Sequence, residues 1–307
     1  MSLKKKCVYG CISIVIILLS VLIYYNSVYE VVAFHPFYGS SASDLKVMTW
    51  NVHCPNGTDS IRQRRIAEVI LKEDADFVLL NEFYQNRCLV LDSLLKTRYP
   101  FAEEAHSHQM CGDIFYSKRP MSNSGHMSIR QRKPYKDMEW KELPDSIRGK
   151  TIQTIRATVA VGRDSVQVFG MHMASNSGDG SAIVNSIDSL RKVDSFYDRY
   201  LKAQDKRCFQ ARWTKVFIEE SEHPVIVMGD MNDFSRSSPL NILTSAGLKD
   251  AWWEGGCGYG CTFHTGWMLL RIDHILYSDG LKLENIKVID TKLSDHNAVV
   301  ACFTVIK

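Results

Sequence analysis

A chain of 307 residues is long enough to bury the core of one large domain or of two small domains. Its 37 basic and 34 acidic residues leave a formal charge of only +3. This near balance excludes a protein that coats itself with nucleic acid through bulk electrostatics, so any basic surface must be local.

The first thirty residues differ from the rest of the chain. Lysines 4–6 precede an uncharged, mostly apolar run that extends to Glu30, which is long enough to cross a bilayer as a helix. Lysines that precede an apolar helix favour an N-terminus in the cytoplasm and export of the rest of the chain. We therefore predict a single-pass membrane anchor over residues 1–30, with the rest of the chain outside the cytoplasm. A signal peptide cleaved after Ala33 is the alternative, and the protein is then secreted.

The rest of the chain is predicted to be a linker followed by one domain. Residues 31–43 contain "FHPFYGSSAS", whose Gly, Ser and Pro residues indicate a linker. In residues 44–307, apolar strand-like runs alternate with helical stretches, as in "LKVMTWNV", "IRQRRIAEVILKE" and "DFVLLNE". Strands that are apolar throughout indicate sheets covered on both faces. Many strands with few helices between them favour two stacked sheets with helices outside.

The spacing of two cysteines suggests a disulfide or a zinc site. An exported domain meets an oxidising compartment, where thiols form disulfides. Cys257 and Cys261 lie close together in "GGCGYGCTFH", a spacing that suits a disulfide. A zinc site formed by these thiolates with His264 is the alternative, although the sequence offers no evident fourth ligand.

Polar residues repeatedly interrupt the apolar strands at their ends. They are Asn51 after "VMTW", Glu82 after "FVLLN", His172 after "VFGM", Asp230 and Asn232 in "VIVMGDMN", Asp273 in "RIDHIL", and Asp295 and His296 in "SDHNAVV". Each one alone fits a turn residue or a helix cap. Together they indicate a functional site on loops that a rigid scaffold holds.

Oxygen ligands dominate this set. Glu82, Asp230 and Asp295, with the amide oxygens of Asn51 and Asn232, are hard ligands that suit Mg²⁺ or Mn²⁺. Such a metal polarises a phosphoryl oxygen and stabilises a leaving alkoxide. An imidazole with a pKa near neutrality can take a proton from water. The sequence therefore predicts metal-assisted hydrolysis of a phosphate ester by a directly attacking water.

The same motifs, in the same order, resemble those of the endonuclease/exonuclease/phosphatase superfamily. These metal-dependent phosphohydrolases include pancreatic deoxyribonuclease, abasic-site endonucleases, bacterial sphingomyelinases and inositol phosphatases. The resemblance extends over residues 45–305 and implies a four-layer α/β sandwich, in which two packed mixed sheets are flanked by helices. One departure is Asn81, because many members have a glutamine before the glutamate.

The resemblance also implies a role for each site residue. Glu82 matches the main metal ligand, with Asn51 beside it and Asp295 near the metal. His296 matches the general base, and Asp273 matches the carboxylate that orients it.

The remaining matches concern the phosphate. Asp230 and Asn232 match a pair that orients the attacking water and contacts the phosphate, and His172 matches an imidazole that contacts the phosphate or assists the leaving group. Arg156 corresponds to an arginine that touches a substrate phosphate in some members, and a surface pairing is its alternative. Four residues beside the motifs are predicted to be structural or solvent-facing: His53, Asp233, His264 and His274.

Asp295 and His296 are adjacent, which argues against a pair formed by these two residues. In an extended backbone, adjacent side chains point to opposite faces. We therefore expect Asp273 to orient His296, and Asp295 to face the metal.

The sequence leaves the substrate open. Residues 128–150 hold the clearest basic stretch, with Tyr135 and Trp140 among the charges. It suits contact with nucleic acid, an anionic membrane or a small phosphate ester, and a solvated loop is the alternative.

The first hypothesis is a phosphodiesterase acting on nucleic acid or a phospholipid head group. The second is a phosphomonoesterase acting on a sugar or inositol phosphate. The third, an inactive anchored binding protein, is disfavoured because ligand, base and orienting carboxylate are all present. No obligate protein partner is evident.

Overall fold

The structure is a computed structural model that describes residues 3–35, 42–54, 59–105, 112–128, 152, 154–176, 193–265 and 268–306. The helices in these ranges are α1 (Leu3–Tyr29), α2 (Ser60–Glu73), α3 (Leu89–Lys96), α4 (Val193–Glu219), α5 (Ser238–Thr244) and α6 (Ala251–Gly255). The strands are β1 (Ala33–Phe34), β2 (Leu45–Asn51), β3 (Phe77–Asn81), β4 (Phe101–Ala105), β5 (Asp113–Ser117), β6 (Met121–His126), β7 (Thr154–Val161), β8 (Asp164–His172), β9 (Val225–Asp230), β10 (Lys249–Asp250), β11 (Cys257–Gly258), β12 (Phe263–Thr265), β13 (Met268–Leu270), β14 (Asp273–Tyr277), β15 (Leu281–Ile289) and β16 (Ala298–Val305).

Two six-stranded sheets form the centre of the domain. The first sheet has the strand order β15-β16-β2-β3-β5-β4, and the second has the order β10-β14-β9-β8-β7-β6. In the first sheet only β2 and β3 are parallel neighbours, and in the second only β8 and β9 are. All other neighbours in the two sheets are antiparallel. The predicted α/β class with two packed mixed sheets is confirmed.

The main apolar core lies between the two sheets. It includes Leu79 and Phe115 from the first sheet and Val168 and Met228 from the second, all of them buried. Burial of a side chain of this size contributes about 1.5–3 kcal/mol. Because helices cover the other face of each sheet, the central strands are buried on both sides, which explains their uninterrupted apolar sequences.

Each sheet has its own helix layer. Helices α2 and α3 cover the first sheet, and α4 and α5 cover the second, with Ala211 and Leu240 among the buried contacts. Helix α2 begins at the Asp59 cap, whose carboxylate accepts hydrogen bonds from two backbone N–H groups. Its residues Ile66 and Ile70, four positions apart, face the sheet.

The residues that follow the N-terminal helix contact the domain. Side chains of α1 between residues 14 and 29 are largely exposed. In the part of the chain that the structure describes, no helix meets the length and hydropathy that membrane crossing requires. Beyond α1, Glu30 is buried and forms an ion pair with Arg236, and β1 pairs with β11. The domain boundaries and the membrane anchor remain predictions.

Candidate active site

The polar residues singled out in the sequence meet at one edge of the two sheets. In the first sheet, Asn51 at the end of β2 is the register partner of Asn81 at the end of β3. In the second sheet, His172 at the end of β8 is the partner of Asp230 at the end of β9, which also pairs with Asp273. The carboxyl ends of the parallel strands lie together, and their antiparallel neighbours begin at the same edge.

Asn81 connects the two sheets at this edge. Its side-chain nitrogen donates to Asp113 Oδ1 at 2.8 Å and to the Met171 carbonyl at 3.2 Å. Its side-chain oxygen accepts from the backbone N–H of Asp230 at 3.1 Å. This buried amide, the one departure from the family pattern, therefore fixes the separation between Asp230 and the end of β3.

His296 is held by a carboxylate from the second sheet. Its Nδ1 atom lies 2.8 Å from Asp273 Oδ2, and both side chains are buried. Asp273 is anchored in turn because its backbone N–H donates to Thr262 Oγ1 at 3.0 Å. The carboxylate of Asp295 instead accepts from Ser294 Oγ at 3.2 Å. The adjacent residues Asp295 and His296 thus have separate partners, although both precede β16 and lie outside the strand whose alternation was expected to separate them.

The charge around His296 changes its pKa. Burial alone lowers the pKa of the ring, but the negative charges of Asp273 and Asp230 outweigh it and raise the pKa to about 10. The sequence suggested a value near neutrality. The difference arises because two strand ends bring their carboxylates to opposite sides of one buried imidazole.

Glu82 follows β3 in a left-handed backbone conformation, with φ of 53°. Its Oε1 atom accepts from Asn51 Nδ2 at 3.1 Å, and its Oε2 atom lies 2.9 Å from His53 Nδ1. Burial raises the pKa of this carboxyl, but the His53 hydrogen bond and the charge of His172 outweigh burial and lower the pKa to about 2. Glu82 is therefore ionised at neutral pH. A positive φ in a residue other than glycine is strained and often marks a functional site.

Asp230 is the central carboxylate of the group. Its Oδ2 atom accepts from Asn51 Nδ2 at 3.0 Å and lies 3.7 Å from the Nε2 atoms of both His172 and His296. Burial raises the pKa of Asp230, and the positive charge of His296 opposes this effect. The preceding Gly229 has φ of 138°, and a Cβ atom there would lie 1.9 Å from the Met171 carbonyl oxygen. Only glycine allows this approach of β9 to β8.

His172 and Asn232 complete the group. His172 Nε2 lies 3.9 Å from Glu82 Oε1, and its Nδ1 atom lies 3.6 Å from Asp113 Oδ1. Asn232 is half-buried in a left-handed conformation, and its side chain donates to the Met173 carbonyl at 3.0 Å. Its backbone N–H donates to Asp230 Oδ1 at 2.9 Å.

Two residues of this site were missed or dismissed in the sequence. Asp113 opens the buried strand "DIFYS" at the same edge, so it carried the same signal as the other strand-end residues. His53 was predicted to be structural or solvent-facing, and it is exposed, but it also contacts Glu82, and this hydrogen bond raises the pKa of His53.

The side chains present fit a divalent cation. Asn51 Nδ2 lies between Glu82 and Asp230, whose carboxylates face each other across it. In the described ranges, Asp230, Asp273 and His296 form a further group with one ligand atom each within 4.8 Å of the others. This group differs from the predicted ligands Glu82, Asn51 and Asp295, although Asp295 lies close enough for its charge to raise the pKa of His296. Carboxylate oxygens predominate, as Mg²⁺ and Mn²⁺ prefer, whereas the side-chain oxygen of Asn51 accepts from the His53 backbone N–H at 3.0 Å.

Other predicted features lie apart from the cluster. Arg156 donates to Asn123 Oδ1 at 3.1 Å and packs over the ring of Phe217 on α4. The structure therefore places Arg156 on the helix-covered face of the second sheet and not beside the phosphate site.

Cys257 and Cys261 are both reduced in the structure, without the disulfide considered from the sequence. The basic stretch within residues 128–150 lies outside the described residues, except for residue 128.

Two neighbours of the motifs are structural. Asp233 pairs with the fully buried Arg207, with Oδ2 3.0 Å from Nε. His274 contacts the Asp233 carbonyl through Nε2 at 3.0 Å and Asp250 through Nδ1 at 3.3 Å. They form a buried polar network behind the cluster, as predicted for residues of this kind.

Comparisons with known proteins agree with this geometry. The model of the Endonuclease/Exonuclease/phosphatase family matches residues 48–296. Comparison with curated protein sequences gives no match.

Solved structures show the same fold. The crystal structure of D. rerio TDP2 complexed with single strand DNA product has a TM-score of 0.58 at 17% identity, covering 85% of this chain and 99% of that chain. Truncated Caenorhabditis elegans TDP2 has a TM-score of 0.58 at 17% identity, with 85% and 97% covered. The 3′ phosphatase NExo from Neisseria, bound to a product DNA hairpin, has a TM-score of 0.58 at 16% identity, with 84% and 99% covered. The chain belongs to the endonuclease/exonuclease/phosphatase family of divalent-metal-dependent phosphoric ester hydrolases.

Proposed function

We propose that this protein hydrolyses a phosphodiester by direct attack of a water that His296 activates. The observation that carries the proposal is the buried imidazole between Asp273, 2.8 Å from Nδ1, and Asp230, 3.7 Å from Nε2. Asp273 fixes the ring, so Nε2 is the atom that takes the proton. A buried base with a fixed orientation is the arrangement that general-base catalysis needs.

Asp230 and Asn232 orient the water and contact the phosphate. The backbone N–H of Asn232 donates to Asp230 Oδ1, which fixes the Asp230 carboxylate against the backbone of Asn232. As the new phosphorus–oxygen bond forms, the ester bond to the leaving oxygen breaks. His172, 3.7 Å from Asp230 and 3.9 Å from Glu82, contacts the phosphate or gives a proton to the leaving oxygen.

Glu82, Asn51 and Asp295 hold the metal in this proposal, with Mg²⁺ as the first candidate and Mn²⁺ as the second. When bound, the cation polarises the phosphoryl oxygen, stabilises the leaving oxygen and offsets the carboxylate charge that raises the pKa of His296. The ionised state of Glu82 supports its role as a ligand, because the hydrogen bond from His53 and the charge of His172 outweigh burial and keep its pKa low.

The substrate class is proposed to be nucleic acid, a phospholipid head group or a small phosphate ester. Two relatives of this fold were solved with DNA products, TDP2 from D. rerio and NExo from Neisseria, which favours nucleic acid. A phosphomonoesterase acting on a sugar or inositol phosphate is the second candidate, since NExo is described as a 3′ phosphatase. An inactive binding protein is disfavoured because the base and its orienting carboxylate are in contact.

We further propose that α1 anchors the domain at a membrane, with the active site outside the cytoplasm. The uncharged run before Glu30 and the lysines that precede it support this placement. Localisation of a tagged full-length chain in membrane and soluble fractions tests it, with alkaline extraction to separate anchored from adsorbed protein. Recovery of the full-length chain in the soluble fraction would contradict the anchor.

A reporter assay separates diester from monoester hydrolysis. Purified protein with Mg²⁺ is given bis(p-nitrophenyl) phosphate, p-nitrophenyl phosphate, single-stranded and duplex DNA, and phospholipid vesicles. We expect diester cleavage to exceed monoester cleavage. The reverse order would replace the diesterase by the monoesterase, and no turnover in any arm would refute both.

A further inference from the structure

The backbone pairing between β2 and β16 stops before the active site. The last paired residues at this end are Thr49 and Val299. Beyond them, side chains take over the contact between the two segments: Trp50 Nε1 donates to the His296 carbonyl at 3.0 Å, and Ser294 Oγ donates to the Asn51 carbonyl at 2.8 Å. Between these two segments, side-chain contacts thus replace the strand ladder, whereas Asn51 still pairs with Asn81 of β3.

Arg62, on the first turn of α2, reaches into this gap. Its Nη1 atom donates to the His53 carbonyl at 3.1 Å, Nη2 donates to the Val52 carbonyl, and Nε donates to the Leu293 carbonyl at 2.5 Å. One half-buried guanidinium therefore contacts three backbone carbonyls on two segments that are far apart in sequence. Val52, His53 and Leu293 lie outside the β-strands, so no strand ladder satisfies their carbonyls, and a buried carbonyl without a donor is costly.

We propose that Arg62 is a positioning residue of the active site. It fixes the segment that carries Asn51 against the segment that carries Asp295 and His296, and it touches neither substrate nor metal. The proposal rests on the proposed function for its effect on turnover. Misplacement of a catalytic group by about 1 Å can cost about 10²-fold in rate.

The chemistry of arginine suits this role. The guanidinium is planar and carries five N–H donors in a fixed fork, whereas a lysine ammonium is a compact point charge on a flexible stem. A lysine ammonium has one nitrogen and no planar fork, so it cannot donate to the carbonyls of Val52, His53 and Leu293 at the same time. We therefore expect Arg62→Lys to behave more like Arg62→Ala than like the wild type.

The test compares Arg62→Ala and Arg62→Lys with Arg64→Ala, an exposed arginine on the same helix. Three quantities are measured for each: kcat and KM for bis(p-nitrophenyl) phosphate with Mg²⁺, the folded fraction by circular dichroism, and amide hydrogen exchange. We expect kcat per folded molecule to fall about 10–10²-fold in both Arg62 variants, with KM changed much less. Added guanidinium at millimolar concentration should restore part of kcat in Arg62→Ala and none in Arg62→Lys.

Hydrogen exchange tests the same claim without turnover. The amides of Val52, Cys54, His296 and Asn297 are all hydrogen-bonded in the structure. Arg62→Ala should speed exchange on both segments together, and Arg64→Ala should leave both unchanged. If the wild type does not turn over any phosphate ester, the proposed function fails, but this arm still decides the positioning role. Unchanged exchange on either segment, or unchanged kcat per folded molecule in an active enzyme, would overturn it.

Discussion

The imidazole of His296 is hydrogen-bonded to the carboxylate of Asp273, with Nδ1 2.8 Å from Oδ2. These residues lie on different sheets, since Asp273 opens β14 in the second sheet and His296 precedes β16 in the first. The catalytic pair therefore depends on correct packing of the two sheets.

Replacement of Asp273 by asparagine tests this contact. Asp273→Asn keeps the size of the side chain but removes the charge that fixes and polarises the ring. We expect kcat to fall about 10²–10⁴-fold, the usual contribution of a general base. Asp279→Asn, on a surface pair with Lys249, is the matched control. Equal kcat in the two variants would show that Asp273 does not orient the base.

The buried ion pair between Arg207 and Asp233 predicts a large effect on stability. Both side chains are fully buried, and Arg207 also donates to the Ala174 carbonyl at 2.9 Å. Removal of one partner leaves the other charge buried and unpaired. Arg207→Ala should therefore lower the free energy of unfolding by about 3–5 kcal/mol.

Urea unfolding measures this loss, with the exposed Lys206→Ala as the control. The double change Arg207→Met with Asp233→Asn should cost less than the sum of the single changes, because neither charge remains unpaired. A loss in Arg207→Ala no larger than that in Lys206→Ala would contradict the prediction.

Asp250 predicts how stability depends on acid pH. Burial raises the pKa of this carboxyl, but the charge of Arg271 and the hydrogen bond from His274 outweigh burial and hold the pKa well below its usual range. Since the folded pKa is lower than the unfolded value of about 3.9, the contribution of Asp250 is present above about pH 4. It is lost as the pH falls through the folded pKa.

Unfolding by urea at a series of pH values below about 5 checks the sign. The wild type should lose stability as the pH falls, and Asp250→Asn should show a shallower dependence in the same range. Glu30 also faces Asp250, and its pKa is raised, mainly by burial, so Glu30→Gln is measured in parallel. Identical slopes in the wild type and Asp250→Asn would refute this assignment.

The residues after α1 are predicted to stabilise the catalytic domain. Ala33 belongs to the core between the sheets, Glu30 pairs with Arg236, and His35 Nε2 lies 2.8 Å from the Trp253 carbonyl. A chain that begins at Asp44 loses all three contacts. We expect it to be less stable by about 1–3 kcal/mol than a chain that begins at Asn26. Equal midpoints of thermal unfolding would show that this segment is a simple linker.

Much of the fold and site was predictable because both depend on local patterns. Apolar runs gave the α/β class, and the polar residues at their ends predicted Glu82, Asp230 and His296 as members of one cluster. Asp295 and His296 do have separate partners, but the alternation expected along a strand is not the reason, because both residues precede β16.

What the sequence could not give depends on contacts between distant segments. Asn81 reaches the second sheet only because the two sheets pack closely, and the raised pKa of His296 needs carboxylates from two other strands. The choice between a phosphate contact and a surface pairing for Arg156 could not be made from the sequence, because a motif in a strand does not reveal which face a helix covers. The bridging role of Arg62 likewise needs the positions of residues more than two hundred apart.

The most direct test of the central claim is metal-dependent turnover at His296. Hydrolysis of bis(p-nitrophenyl) phosphate is measured for the wild type with Mg²⁺, for the wild type with EDTA, for His296→Ala, and for the exposed control His223→Ala. We predict turnover in the wild type and in His223→Ala, and its loss with EDTA. In His296→Ala we predict a fall of about 10²–10⁴-fold. Turnover that persists in EDTA, or that is equal in the two histidine variants, would contradict a metal-dependent phosphoesterase centred on His296.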